Sequence, residues 1–282
     1  EVSNQPRACP GSECSNRGQL SVLVDLPGTR IGRYQIIETL GSGGFSTVYR
    51  AIDEQLDAYV ALKVLAENHA LDADVHERFF GEAQLLRRIQ SPSVIAVHDV
   101  GETDRRQPYI VMGLAHGGDL GSRVDQLDQQ GTTPGLGSGS DLTQARYSVT
   151  AHDVLTVAQA LAASLGSAHE VGIVHRDVKP SNLLIVNDNP TSVTPDPRRG
   201  LLAAGERLVL SDLGLAKDVG ANSGLTVGAG TAGFAAPEQL VPTTRITRSV
   251  DIHAATAVVF WLLTRELPTN DSAWTRIPGP LE

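Results

Sequence analysis

Three glycines in the run LGSGGFSTVY, residues 40–49, have the spacing to work on phosphate. Gly41, Gly43 and Gly44 carry no Cβ, so backbone N–H groups there can approach phosphate oxygens. A plain hairpin turn is the commoner use of such a run. The run sits between two predicted strands and does not lead into a helix, which argues against dinucleotide-binding folds and P-loop NTPases. Lys63 closes VALK, residues 60–63, at the end of a predicted strand. Its ammonium either meets nucleotide phosphates or faces solvent. Glu82 falls in a predicted helix, where it either holds that ammonium in an ion pair aimed at the phosphates or is an ordinary solvated surface charge. The densest signal is HRDVKPSN, residues 175–182, directly after a predicted buried helix.

The elements that must position these groups follow from periodicity. Short β-type runs at 34–40, 47–53 and 59–65 are separated by glycine-rich or polar stretches, as in an antiparallel meander. Residues 76–89 place Phe79, Phe80, Ala83, Leu86 and Ile89 at helical spacing. Strand-like runs at 94–100 and 109–114 complete a small sheet-based lobe. Beyond Leu120 the pattern is helical. Residues 152–170 carry a wide apolar stripe from Val154 to Ala168, and 237–240 and 251–264 read as further helices. The organisation expected is a tail at 1–30, a first lobe at 31–114 and a second at 115–282, with a connector near 113–117. Residues 131–140 (GTTPGLGSGS) read as an insertion and 187–205 as an exposed loop.

Composition narrows the classes. Of 282 residues, 41% are hydrophobic and 20% charged, which suits a globular chain with a buried core. Aromatics are only 4%, so that core is built from Leu, Val, Ile and Ala. With 23 Lys+Arg against 32 Asp+Glu the net charge is −9, which argues against a general nucleic-acid binder. Cys9 and Cys14 are the only cysteines, so no disulfide framework holds the fold, and a reducing, cytoplasmic setting is expected. The longest apolar run, 254–263, is too short for a bilayer, which needs about 20 residues. No membrane segment and no signal peptide are read in this chain. Residue 1 is Glu and the only methionine is Met112, so a longer parent, with any membrane anchor outside this stretch, is expected.

Taken in order, LGSGGFSTVY, VALK, HRDVKPSN and the DLG at 212–214 resemble the eukaryotic-type serine/threonine protein kinases, most closely their bacterial branch. The resemblance covers residues 31–269. It implies an α+β, two-lobed kinase fold: an antiparallel sheet with one helix, then a mainly helical lobe that breaks off after its central helix. It implies ATP with Mg²⁺, or Mn²⁺ in its place, and transfer of the γ-phosphate to Ser or Thr of protein substrates. ATP would be held by Leu40, Gly41, Ser42, Gly43, Gly44, Phe45, Ser46, Val48 and Ala61, by Lys63 braced by Glu82, and at the connector by Met112, Gly113 and Ala115. Asp177 would accept the hydroxyl proton, Lys179 steady the γ-phosphate, and Asn182 and Asp212 hold the metal. Arg176 would pair with an activation-loop phosphate on Thr226 or Ser223, and Thr231 would contact Asp177. Ala236, Pro237 and Glu238 match the motif closing that segment, and Asp251 the aspartate that braces the catalytic loop. Dimerisation through the first lobe is a further family property.

The sequence departs from the pattern at several places. Ser46 replaces a glycine, Leu213 replaces the usual Phe, and the 187–205 segment lengthens the path from Asn182 to Asp212 as a hairpin extension. The chain stops short of the arginine that normally pairs with Glu238, and the central helix is expected to expose Val258, Trp261 and Leu262. The alternatives weighed are a truncated or pseudokinase-like nucleotide-binding module and a small-molecule phosphotransferase of related fold. Lys63, Asp177 and Asp212 are all present, against a pseudokinase, while a truncated chain that is inactive although its longer parent is active stays open. The KP step and the segment ending at 238 stand against the second.

Overall fold

Alternation of apolar and polar residues after Gly32 produces a six-stranded antiparallel sheet, in a computed structural model that describes residues 28–130, 148–187, 200–213, 233–240 and 246–268. Its strands are β1 (Arg30–Ile31), β2 (Tyr34–Ser42), β3 (Ser46–Asp53), β4 (Ala58–Leu65), β5 (Val97–Glu102) and β6 (Pro108–Gly113), in the order β1-β2-β3-β4-β6-β5. Val60, Leu62 and Val64 of β4 join Tyr34, Ile36, Tyr49, Ala51 and Val111 in one cluster. The intervening residues of β4 face the other way, because successive side chains alternate across a strand. Ala61 packs with Met112 and Leu65 with Ile110, in clusters that include helix residues. Lys63 belongs to this second face.

Helix α1 (Ala73–Arg88) covers that face. It begins earlier than the periodicity predicted because Asp72 caps it, its carboxylate accepting from the N–H groups of Asp74 (3.0 Å) and Val75 (3.2 Å). The buried stripe of α1 is Val75, Phe79, Glu82, Ala83 and Leu86, so Glu82 lies among apolar neighbours and is no solvated surface charge.

The apolar run predicted as a strand at 94–100 is divided. β5 starts only at Val97, and the residues before it turn to the helical part of the molecule. Ile95 N–H donates to Leu210 O (2.9 Å), Leu210 N–H donates to Ser93 O (2.9 Å), and Ser167 Oγ donates to Ser91 Oγ (3.0 Å). The segment leaving α1 is thereby fastened to the strand that leads to Asp212.

The helical part comprises α2 (Leu120–Gln130), α3 (Ala151–Glu170), the hairpin β7 (Leu183–Asn187) with β8 (Glu206–Leu210), and α4 (Ser249–Thr264). Most of the extension read at 187–205 lies outside the described residues, and Leu201, expected in an exposed loop, is buried against the helical core. A capping box starts α3: Asp153 N–H donates to Thr150 Oγ1 (3.2 Å) and Thr150 N–H to Asp153 Oδ2 (2.9 Å). Pro237–Leu240 is one 3-10 turn where a helix was predicted. Val258 and Leu262, expected on an exposed face, are fully buried. α4 is apolar on all sides and packs into a core with Leu161 and Leu165 of α3, Leu120 and Val124 of α2, and Ile185 and Leu208 of the hairpin. Trp261 is partly buried against the same core. Among the described residues no helix is long and apolar enough to cross a membrane.

One buried ion pair ties α2 to the hairpin. Arg123 grips Glu206 in a two-pronged contact, 2.8 Å and 3.0 Å, and also donates to Leu201 O (3.1 Å). The Arg123 hydrogen bonds hold the Glu206 carboxyl below its ordinary range, against the opposing effect of burial. A depressed carboxylate contributes stability above its unfolded value of about 4.3 and loses it as pH falls through the folded value. Glu206→Leu is therefore expected to destabilise the fold at pH 7 by about 3–5 kcal/mol, the cost of leaving one buried partner unpaired. Denaturant unfolding of both proteins should show that gap narrowing as the pH is lowered through 4.

Candidate active site

A cleft of about 260 Å³ lies between sheet and helices, walled by Leu40, Gly41, Val48, Ala61, Met112, Gly113, Ala115 and Asp212. Each of these was singled out in the sequence. Gly118, Asp119, Ser181 and Leu184 also line it and were not. Asp119 carries a local signal in hindsight, since it stands at the start of α2 and accepts from Ser122 N–H (3.0 Å) and Ser122 Oγ (2.7 Å). At the connector, Gly113 N–H donates to Ala96 O (2.9 Å). Gly117 admits no side chain, because a Cβ there would stand 2.5 Å from Ile185 Cγ2.

Ser42, Gly43, Gly44, Phe45 and Ser46 form the tip of the β2–β3 hairpin and are not among the wall residues. Gly43 N–H donates to Ser46 O (2.9 Å), closing the turn. Phe45 stacks on His69 with ring centroids 4.8 Å apart, and its carbonyl accepts from Ala66 N–H (2.9 Å). The tip is thus pinned to the connection between β4 and α1.

Behind the wall residue Asp212, and not themselves among the wall residues, Lys63 and Glu82 meet it: Lys63 Nζ lies 2.9 Å from Glu82 Oε1 and 2.6 Å from Asp212 Oδ1. Burial opposes charge on Lys63, but the two carboxylates outweigh it and raise its pKa, so the ammonium is retained. Burial pushes Glu82 up to about 7, with Lys63 only partly offsetting it. Asp212 is also raised by burial, yet the Lys63 ammonium holds it below its ordinary range. One cation shared by two carboxylates leaves an uncompensated negative charge. Asp212 itself adopts φ +56°, left-handed backbone that a non-glycine residue rarely takes. Leu213 is buried with Leu86 of α1 and Met112, so an apolar contact parallels the ion pair.

The loop 175–182 is held from below. Asp251, at the start of α4, is completely buried. Its carboxylate accepts from His175 N–H (2.8 Å), Arg176 N–H (2.8 Å) and His169 Nε2 (2.7 Å). Burial lowers the pKa of His175. Its neutral ring then donates from Nε2 to Ser211 O (3.0 Å) and accepts Asp177 N–H at Nδ1 (3.3 Å). Asn182 Nδ2 donates to the Asp177 carbonyl (2.8 Å) and to Asp177 Oδ2 (3.1 Å), and Lys179 Nζ lies 3.1 Å from the same Oδ2. Ser211 N–H donates to Asn182 O (2.9 Å), which brings Asn182 beside the residue preceding Asp212. His169 and Gln239, which donates to the Arg176 carbonyl (2.8 Å), were not singled out in the sequence.

The donor chemistry fits a hard cation. Asn182 spends its amide N–H on Asp177 and keeps its oxygen, and Asp212 retains 38% exposure toward the cleft. Among the described residues no cluster of three or more His, Cys, Asp or Glu forms a self-sufficient metal cage. Two oxygen donors that rely on ligand phosphates and water for the rest are the usual setting for Mg²⁺.

Glu238 was expected to lack its arginine. Among the described residues no cation is within ion-pair distance, and Ser249 Oγ donates to it instead at 3.3 Å. Ser223, Thr226, Thr231, Cys9 and Cys14 lie outside the described residues.

Residues 34–277 match the protein kinase domain family. The chain is 35% identical over 244 residues to the serine/threonine-protein kinase PknL of Mycobacterium tuberculosis, covering 86% of this chain and 52% of that protein. It is 34% identical to PknF of the same organism, covering 86% and 44%. The chain therefore spans about half the length of the curated relatives it matches. Among solved structures, the kinase domain of Mycobacterium tuberculosis PknI superposes with a TM-score of 0.60 at 22% identity, over 86% of this chain and 79% of that one. That likeness establishes the two-lobed fold.

Asp251→Asn offers an isosteric test of the support under the loop. An amide can accept on one side only, so one buried backbone N–H or the His169 contact loses its partner. The expected cost is about 1–3 kcal/mol in denaturant unfolding.

Proposed function

The chain belongs to the protein kinase domain family, and we propose that it transfers the γ-phosphate of Mg·ATP to serine or threonine hydroxyls of proteins. The observation that carries this reading is the Lys63 ammonium between Glu82 and the cleft-wall residue Asp212. Phosphoryl transfer spreads charge over oxygens, so catalysis is chiefly positioning and cationic stabilisation. In this reading Lys63 orients the α- and β-phosphates and Glu82 keeps the ammonium aimed. Val48, Ala61 and Met112 enclose the base, and the carbonyl of Gly113 and the backbone of Ala115 provide its polar contacts. The 41–46 turn closes over the phosphates. Asn182 and Asp212 would hold Mg²⁺, or Mn²⁺, which supplies charge neutralisation at the phosphates.

Asp177 takes the proton of the attacking hydroxyl. Its carboxylate is oriented by the Asn182 amide and lies beside Lys179, which can follow negative charge from the nucleophile to the transferred group. With Glu82 ionised, the carboxylates of Glu82, Asp177 and Asp212 exceed the ammoniums of Lys63 and Lys179 by one. A divalent cation is therefore needed before a polyanionic nucleotide is stable there. Arg176 is assigned to an activation-segment phosphate on Thr226, with Ser223 second, and protein substrates are the partners.

The test is incubation with Mg·ATP and a generic basic protein, with phosphate followed by intact-mass spectrometry. Asp177→Asn should lower transfer by about 10²–10⁴-fold, the usual worth of a positioned general base, while nucleotide still raises the unfolding temperature. Absence of transfer in the unaltered chain would overturn the reading. Lys63→Met is expected to lose transfer together with the nucleotide-induced rise in unfolding temperature, because Glu82 and Asp212 then face each other without a cation. A thermal shift titration with and without Mg²⁺ checks this.

A further inference from the structure

Gln239 follows Glu238 in the 3-10 turn and sits where two backbones meet. Its side-chain amide is divided between them. Nε2 donates to the Arg176 carbonyl at 2.8 Å, and Oε1 accepts from Ala236 N–H at 3.1 Å. Arg176 adopts φ +68°, in the left-handed region. Such a residue persists only where its surroundings over-determine it. Here the Arg176 N–H is taken by Asp251 and its carbonyl by Gln239.

The carbonyl of Arg176 and the N–H of Asp177 belong to one planar peptide group. Gln239 holds one edge of that plane, and His175 Nδ1 accepts from the other at 3.3 Å. Rotation of the plane would carry the Asp177 carboxylate with it, away from Asn182 and Lys179. Since the plane is gripped at both edges, the direction of the carboxylate is set partly from outside the catalytic loop.

We propose that Gln239 is a positioning residue for Asp177, coupling the end of the 233–240 segment to the peptide plane that aims the catalytic carboxylate. The inference rests on the kinase reading for its effect on turnover, and on geometry alone for its effect on the loop. Displacement of residues 236–239 then reaches Asp177 through one side-chain amide, with no contact to nucleotide.

Two variants test it. Gln239→Glu keeps an oxygen for Ala236 N–H but sets a carboxylate against the Arg176 carbonyl, and Gln239→Met keeps the length and removes both bonds. Both are expected to lower kcat by about 10–100-fold, the scale of a small misplacement of a reacting group. KM for ATP and the nucleotide-induced thermal shift should stay within about twofold of the unaltered chain. Hydrogen exchange of the peptide spanning 174–179 should quicken about fivefold in both, the equivalent of one net hydrogen bond. Unchanged exchange overturns the inference whether or not the chain transfers phosphate. Unchanged kcat, or a loss explained by a raised KM for ATP or by unfolding, overturns it as well. If the unaltered chain transfers no phosphate, the kinase reading fails, and the exchange experiment still decides whether Gln239 holds the loop.

Discussion

A single ammonium in a nearly dry site must be matched by charge, and Lys63 draws its match from two directions. Glu82 comes from α1 and Asp212 from the end of β8, so one cation ties together three elements that are far apart in the chain. The cost of burying these charges is met only while all three are in place. Apolar packing makes that arrangement firm. Phe79 and Val75 seat α1 on Leu65 and Ile110, and Leu213 closes the gap between α1 and the cleft. The segment leaving α1 is fastened through Ser93 and Ile95 to Leu210, two positions before Asp212. The carboxylates of Glu82 and Asp212 are therefore linked through the backbone as well as through Lys63.

A second buried charge organises the helical part. The Asp251 carboxylate gathers His169 from α3 and two N–H groups from the 175–182 loop, and so converts the placement of α4 into the placement of Asp177. His175 adds a transverse link from Asp177 N–H to Ser211 O, beside Asp212. Asp177, Asn182, Asp212 and Lys63 thus stand in a network of hydrogen bonds and ion pairs that runs through His175 and Ser211. Such networks hold one geometry strongly because an orphaned member is so costly.

Local signals in the sequence revealed the sheet, α1, α3 and the residues at the centre of the cleft. Lys63 was legible as the lysine closing VALK at a strand end and Glu82 as a carboxylate in the helix that follows, but only the fold places Glu82 on the buried stripe of α1. The run at 94–100 was misjudged because apolar residues there serve two masters: Val94 and Ile95 pack on the helical part, and only the later residues pair in the sheet. Val258 and Leu262 were expected to be exposed by analogy, whereas that face of α4 is covered by α2, α3 and the β7–β8 hairpin, and the exposed face is the one carrying Ile252 and Thr256. His169, Arg123 and Gln239 escaped notice for a different reason. Their partners stand 82, 83 and 63 positions away, and no periodicity reports a hydrogen bond between a side chain and a distant backbone or carboxylate.

The β7–β8 hairpin separates the length of its connection from the geometry of Asp212. Leu183 faces Leu210 at the end near the site, and Asn187 faces Glu206 at the other. On the β8 side, Arg123 locks Glu206 and Asp153 accepts Leu201 N–H at 2.9 Å, so the entry to β8 is anchored to two helices. Residues added ahead of Leu201 would leave both anchors in place and meet the entropy of closing a longer loop, about 0.6 kcal/mol for each doubling. The two anchors thereby fix how the chain enters β8, and with it the position of Asp212, whatever length of chain comes before them.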